Sequence, residues 1–332
     1  MNRTYYPLLD FLRAFLALLV FYSHTYREFS DMDFLGIADK ALHLGSWGIT
    51  GFFILSGYLI AQSAEKIDTK TFFINRVTRL FPALIICAFI SILIHNQFIG
   101  SYSDDDIKVF LSSISLTYKF FEISPFSTAI WTLIWEVIFY FFIGLSIFVS
   151  RISRKRITLE KIYLATFSLL LIWQLSPVID MTGINLDWFL IFFSGVFLFK
   201  FLESGLSKKR FLLLTFISVF SFLAYVRFTL WFEIFLILVL FTIYISAHIS
   251  SHNEKIIKIS KFIGESTYTS YLLHMSLGFL VIMQFKDKFG SFMDQDLVYI
   301  YAFVFFTFSA GLIGYFLDKP LRYFLREKML NI

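Results

Sequence analysis

Apolar stretches about twenty residues long dominate this chain, and their number constrains the fold more than any other feature. A helix that crosses a bilayer needs about 20 consecutive, mostly apolar residues. The sequence lacks the alternating ten-residue segments that are typical of membrane β-barrels. It therefore predicts an all-α polytopic membrane protein of about ten transmembrane helices, at residues 8–26, 45–63, 80–99, 128–149, 162–178, 186–202, 211–226, 229–249, 264–285 and 297–317.

Composition indicates that lipid is the solvent for most of the chain. Of the 332 residues, 58% are hydrophobic and only 16% are charged, whereas about a quarter of a soluble domain is charged. Too few residues remain for a large soluble domain, so we expect residues 1–332 to form one membrane domain. The sole cysteine, Cys87, excludes an intramolecular disulfide. The Cys/His spacing of a zinc site does not occur, so we expect no bound metal.

The distribution of lysine and arginine predicts the orientation of the chain. With the N-terminus placed inside, the inside segments hold 21 of the 29 basic residues and the outside segments hold 7, with Arg13 within the first span. Cytoplasmic segments of membrane proteins carry such an excess, so both termini are expected in the cytoplasm. The two longest outside loops, about 27–44 and 100–127, are acidic and are interpreted as solvated surface. The sequence contains no dense patch of basic and aromatic residues, so nucleic-acid binding is not expected.

Arg13 and His24 are ionisable residues within the first predicted span. A charge at the centre of a span costs roughly 2.5–3.5 kcal/mol, so such residues are candidates for function. Eleven residues advance a helix by about 16 Å and return the side chain to nearly the same face. Arg13 would then point toward the cytoplasm and His24 toward the outside. The structural alternatives are snorkelling of Arg13 and a hydrogen-bonded interfacial His24.

Arg76 and Arg79 lie three residues apart, ahead of Pro82, which suits the start of the third span. Residues at this spacing share a helix face, and two adjacent guanidinium groups suit a phosphate. The alternative is anchoring at the inner interface.

Glu136 and His274 lie within the fourth and ninth predicted spans. A lone intramembrane carboxylate needs a partner, and Glu136 could fix the tautomer of a histidine. The alternative for Glu136 is a structural ion pair, and for His274 an interhelical hydrogen bond.

Five motifs together resemble the acyltransferase 3 family, whose members are bacterial membrane proteins that acylate cell-surface polysaccharides and other acceptors. The motifs occur in the order seen in the family and extend over nearly the whole chain. Two departures are Phe11, where the family usually has glycine, and a lone acidic residue after Trp135 where it often has two. The motifs are Leu9–Ala14 with His24, Gly48–Ile60, Arg76–Pro82, Trp131–Tyr140 and Ser270–His274.

The resemblance implies a ten-span enzyme of the bacterial inner membrane that uses acyl-coenzyme A, usually acetyl-coenzyme A, as co-substrate and binds no permanent cofactor. The acceptor would be a hydroxyl of a cell-surface or lipid-linked saccharide, with membrane lipid as the surroundings. His24 would be the catalytic histidine, with Glu136 placed to orient it. The coenzyme would be held by Arg13, Arg76 and Arg79. Ser56, Trp131 and His274, which lie in the same motifs, would contact the acceptor.

His24 could act in two ways, as a general base on the sugar hydroxyl or as a covalent carrier of the acyl group. Two other classes of protein are considered. A transporter or flippase of lipid-linked saccharide also needs buried charges, although the sequence shows no inverted internal repeat. A non-catalytic membrane scaffold is the other. Release of coenzyme A from acetyl-coenzyme A would separate the enzyme from both.

Overall fold

The computed structural model describes residues 5–29, 43–100, 104–154, 156–174, 187–203, 206–225 and 230–331. Within these ranges the chain is helical, and its one β-type contact is an isolated bridge between Tyr5 and Ser251. The α-helices, in chain order, are α1 Pro7–Glu28, α2 Leu44–Ala64, α3 Thr69–Ile94, α4 Asp106–Ile114, α5 Trp131–Ile152, α6 Leu159–Gln174, α7 Asp187–Glu203, α8 Lys208–Tyr225, α9 Leu230–Ser246, α10 Glu254–Leu273, α11 Phe279–Phe289, α12 Gln295–Ile313 and α13 Lys319–Leu330.

Helices occur at all ten predicted spans, which confirms the all-α class. Among the described residues, five segments are long and apolar enough to cross a membrane: Pro7–Glu28, Leu44–Ala64, Thr69–Phe98, Thr128–Ile152 and Gln295–Leu330. They fit a polytopic membrane protein, while the count of ten spans and the position of the termini stay predictions. Residues 175–178 of the fifth predicted span, the connection around Arg227 and most of the loop 27–44 lie outside the described ranges.

The start of α3 differs from the prediction that Pro82 opens the third span. Asp68 caps this helix, because its carboxylate accepts hydrogen bonds from the Thr71 amide at 2.9 Å and the Thr71 hydroxyl at 2.7 Å. These bonds to Thr71 lower the pKa of Asp68, which keeps the capping carboxylate ionised. The helix therefore begins at Thr69, and Pro82 lies inside it.

The chain divides into two compact units. The first comprises Met1–Gly48, Val77–Ile134 and Ser250–Ile332. In this unit α1 packs along α10, and an added Cβ at Gly264 would lie 2.2 Å from the Asp10 carboxylate. The hydroxyl of Thr269 donates to the carbonyl of Ala310 at 2.9 Å, which ties α10 to α12. Close packing through small residues brings the polar side chains of α1 and α10 together.

The second unit comprises Ile49–Arg76 and Trp135–Ile249. Here α2 and α7 approach closely: a Cβ added at Gly57 would lie 2.0 Å from the carbonyl oxygen of Phe192, and one at Gly195 would lie 1.9 Å from that of Ile54. Gly57 and Gly195 therefore let the backbones of the two helices come into contact. Aromatic rings fill the space beside this crossing, with Phe192 stacked on Phe139 at a centroid distance of 4.4 Å.

Cysteine labelling tests the predicted orientation. Cys87 is buried, so a membrane-impermeant maleimide should report only on introduced cysteines. Cysteines introduced at 104–106 should react in intact cells, because the basic-residue bias places that segment outside. Cysteines at 153–156 or 207–209 should react only after the membrane is permeabilised. The reverse pattern would contradict the orientation.

Candidate active site

His24 of α1 and His274 meet in the first unit. Nδ1 of His24 lies 2.7 Å from Nε2 of His274. The ring centroids are 4.9 Å apart and the ring planes differ by 12°. Since the centroid separation is close to the N–N distance plus two ring radii, the imidazoles meet edge to edge in nearly one plane. This is the geometry of a direct hydrogen bond between the rings.

His274 begins a π-helical turn, His274–Gly278, that interrupts α10 and α11. Its ring is only 1% exposed, and its Nδ1 lies 2.6 Å from the backbone carbonyl oxygen of Tyr271. The ring of Phe21 packs edge-on against it at a centroid distance of 5.8 Å. Single π-helical turns of this kind are frequently found at functional sites, and this one fixes the direction of the His274 ring.

The π-helical turn is held from two sides by hydrogen bonds. The hydroxyl of Ser276 lies 2.7 Å from that of Ser91 in α3. The hydroxyl of Thr128 donates to the sulfur of Met275 at 3.1 Å. Trp131, a predicted acceptor-contacting residue, is half-buried three residues after Thr128. The structure therefore places Trp131 in the chain segment that supports the His274 turn.

A charged pocket of about 330 Å³ lies in the same unit. Its lining contains five cationic side chains and three carboxylates, so it carries a net positive formal charge and favours anions. The lining residues are Tyr5, Asp10, Arg13, Arg79, Lys261, Gly264, Glu265, Tyr268, Asp318, Lys319, Arg322 and Tyr323.

One wall of this charged pocket is built around Asp10. One oxygen of its carboxylate lies 2.7 Å from Nη1 of Arg13, and the other accepts a hydrogen bond from the hydroxyl of Tyr5. Burial and the hydrogen bond to Asp10 raise the pKa of Tyr5, so its hydroxyl stays protonated and donates. The charge of Arg13 is thus largely balanced by its neighbour.

A second part of the pocket lining is built around Glu265 of α10. Its carboxylate lies 2.8 Å from Nζ of Lys319 and 3.7 Å from Nη2 of Arg322. Asp318 is 3% exposed, and its Oδ1 has no hydrogen-bond partner among the described residues. A buried carboxylate oxygen in this state is costly, so a ligand that donates a hydrogen bond to it would be stabilising.

Arg79 differs from Arg13, Lys319 and Arg322, each of which lies within 4 Å of a carboxylate. It is exposed, and within the described ranges it has no ion pair closer than 4 Å. Its guanidinium group is therefore the one that a phosphate can pair with at least cost to existing contacts.

The predicted common face of Arg13 and His24 is confirmed. Arg13 lines the charged pocket beside Lys261 and Glu265 of α10, and His24 contacts His274 at the end of the same helix. The two side chains are thus separated by about 16 Å along α1, the rise of eleven residues. The charged pocket and the histidine pair therefore lie at different positions along the same two helices, α1 and α10.

Three other predicted site residues lie in the second unit. The guanidinium of Arg76 lies over the rings of Phe72 at 5.2 Å and Tyr140 at 5.4 Å, and Arg76 is not part of the pocket lining. Glu136 accepts a hydrogen bond from the hydroxyl of Tyr140. Ser56 is half-buried in α2. The roles predicted for these residues stay predictions.

Several lining residues were missed in the sequence. The sequence predicts only a contribution to the cytoplasmic positive charge for Lys261, Lys319 and Arg322. It predicts no role for Tyr5, Asp10, Glu265 and Asp318. The signal that could have found them is position, since Asp10, Glu265 and Asp318 are acidic residues at the ends of apolar segments where cations also gather.

A comparison with protein families agrees with these features. The model of the acyltransferase 3 family, described as an acyltransferase domain, matches residues 6–331. The chain therefore belongs to the acyltransferase 3 family and is a membrane acyltransferase. Neither the curated proteins nor the solved structures give a significant match to it.

Proposed function

We propose that this enzyme moves an acetyl group from cytoplasmic acetyl-coenzyme A to a hydroxyl of a cell-surface or lipid-linked saccharide, in the bacterial inner membrane. The observation that carries the proposal is the pairing of a cationic pocket with a histidine pair on the same two helices. The first suits an anionic donor, and the second suits proton transfer from a hydroxyl. A transporter or flippase of lipid-linked saccharide remains the alternative.

The charged pocket would hold the donor. Its volume is near the lower end of the range for small-molecule sites, so it takes the phosphate-bearing part of coenzyme A and not the entire molecule. Arg79 would pair with a phosphate, and Asp318 Oδ1 would accept a hydrogen bond from an N–H group of the coenzyme. The excess of basic residues predicts that this end of α1 faces the cytoplasm, where acyl-coenzyme A occurs.

The histidine pair would carry out the chemistry. The extended pantetheine arm would run along α1 and bring the thioester toward His24. The imidazole of His24 would take the proton of the sugar hydroxyl as the oxygen attacks the thioester carbonyl. The new C–O bond forms, the C–S bond breaks, and His24 returns the proton to the departing thiolate. The products are the ester and free coenzyme A.

Mass spectrometry of surface and lipid-linked glycans tests this function in cells. A strain that lacks the gene should lose a base-labile acetyl ester from one saccharide. The wild-type gene should restore it, and the His24→Ala gene should not. Glycans that keep every acetyl ester but accumulate as lipid-linked precursors would instead favour the flippase.

A further inference from the structure

The contacts of His274 determine which of its nitrogens carries hydrogen. Nδ1 lies 2.6 Å from the carbonyl oxygen of Tyr271, and a carbonyl oxygen can only accept. Nδ1 of His274 must therefore carry a hydrogen. Among the described residues no carboxylate lies within ion-pair distance of this buried ring. A buried imidazolium without such a partner is costly, so the resting ring is neutral and its Nε2 is an acceptor.

The same reasoning extends to His24. Its Nδ1 lies 2.7 Å from Nε2 of His274, and one of these two nitrogens must donate. Since Nε2 of His274 accepts, Nδ1 of His24 carries the hydrogen. In a neutral His24 the lone pair then lies on Nε2, the nitrogen that points away from His274. An imidazole that is a base or a nucleophile acts through this unprotonated nitrogen.

We propose that His274 is a positioning residue that fixes the reactive tautomer of His24. The chain of hydrogen bonds runs from Nδ1–H of His24 to Nε2 of His274, and from Nδ1–H of His274 to the carbonyl of Tyr271. This inference rests on the proposed role of His24 in acyl transfer. It replaces the predicted contact of His274 with the saccharide by a contact with the catalytic histidine, and it gives His274 the orienting task that the sequence assigned to Glu136.

The arrangement also stabilises the charge that forms during the reaction. When Nε2 of His24 takes the proton of the sugar hydroxyl, His24 becomes an imidazolium whose Nδ1–H still donates to His274. A hydrogen bond from a charged donor is roughly twice as strong as a neutral one. When the proton passes to the thiolate, His24 returns to the same tautomer. His274 exchanges no atom with either substrate and keeps its own hydrogen throughout.

Three substitutions of His274 separate orientation from simple packing. Glutamine places an amide oxygen near the position of Nε2, where it accepts from Nδ1–H of His24. Asparagine is shorter, so its amide reaches the Tyr271 carbonyl at the position of Nδ1 and leaves no acceptor for His24. Packing alone also favours glutamine, whose volume is closer to that of histidine, so His274→Leu, which fills a similar volume without an acceptor for His24, is the packing control. The positioning role predicts that His274→Leu loses as much activity as His274→Asn, whereas a packing role predicts that it behaves like His274→Gln.

The expected kinetic result follows from the loss of orientation. His274→Asn should lower kcat by about 100-fold, the scale of a misplaced catalytic group, with little change in the KM for acetyl-coenzyme A or acceptor. His274→Gln should recover at least a tenth of the wild-type kcat. An equal loss in both variants, or a loss confined to the acceptor KM, would overturn the proposal and favour the saccharide contact.

Solid-state NMR of protein labelled with ¹⁵N-histidine tests the tautomer of His24 without an assay of enzyme activity. Six histidines contribute signals, so difference spectra against His24→Ala and His274→Gln assign this pair. The ring nitrogens of His24 should show hydrogen on Nδ1 and none on Nε2. Hydrogen on Nε2 would overturn the proposal even if the protein is an acyltransferase. If the wild-type protein shows the expected tautomer but releases no coenzyme A, the inference about the histidine pair holds. Only the proposed function is then contradicted.

Discussion

Replacing His24 with alanine should lower the rate of acyl transfer by about 10²- to 10⁴-fold, the usual contribution of a general base. The imidazole would otherwise accept the hydroxyl proton and return it to the thiolate, and the ring of His274 behind it is buried. The side chain of His24 is half-buried, so its removal should disturb packing less than the removal of a fully buried ring. Coenzyme A release and ester formation measure the effect on the purified enzyme.

His252→Ala is the matched control for this variant. His252 is exposed in the connection before α10 and lies outside both the histidine pair and the charged pocket. His252→Ala should keep wild-type turnover. In detergent, His252→Ala and His24→Ala should show the same thermal unfolding profile. If His24→Ala retains more than about a tenth of wild-type turnover, His24 is neither the base nor an acyl carrier.

Replacing Arg79 with glutamine should weaken the binding of the donor by about 10- to 150-fold. A charge-assisted contact between guanidinium and phosphate contributes roughly 1.5–3 kcal/mol, which converts to this range. Arg79 lines the charged pocket without an ion pair among the described residues, so the lost affinity should come from the ligand and not from a broken internal contact. Calorimetric titration with a non-hydrolysable acetyl-coenzyme A analogue measures it, and acceptor binding should change little.

Three further variants sharpen this experiment. Arg79→Lys should recover only part of the affinity, because an ammonium cannot make the bidentate contact. Arg76→Gln should have a smaller effect than Arg79→Gln, since Arg76 packs over the rings of Phe72 and Tyr140. Arg210→Gln removes an exposed charge outside the pocket lining and should bind the analogue normally. Unchanged affinity in Arg79→Gln would leave this arginine only a topological role.

Arg13 is a poorer probe of donor binding, although it lines the same pocket. Its guanidinium is 2.7 Å from the carboxylate of Asp10, which is 8% exposed. Removing one partner of such a buried pair leaves the other charge without compensation and is strongly destabilising. Loss of donor binding in Arg13→Gln would therefore mix a broken contact with partial unfolding.

Much of the fold could be predicted from helical periodicity and from the length of the apolar segments. The position of every predicted span agrees with a helix, because twenty apolar residues leave a chain in lipid few other ways to satisfy its backbone. The common face of Arg13 and His24 also followed from the sequence, since both lie on one continuous helix whose geometry is fixed.

The partners of these residues did not follow from the sequence. His274 lies 250 residues from His24, and only the packing of α1 along α10 brings their rings together. The local pattern around His274 gives no sign of the π-helical turn that directs its ring. Asp318 and Glu265 likewise look like interface residues in the sequence and become pocket lining only when α10 packs against Asp318 and the α13 helix that follows it.

The central claim is transfer of an acetyl group from coenzyme A to a saccharide hydroxyl through His24. The most direct measurement uses the purified protein in vesicles, acetyl-coenzyme A with a labelled acetyl group, and glycan extracted from a strain that lacks the gene. Free thiol and labelled ester are measured together. The wild-type protein should produce both in equal amounts, and His24→Ala should produce neither above background. Movement of the glycan across the vesicle membrane by wild-type protein without any thiol release would contradict the claim.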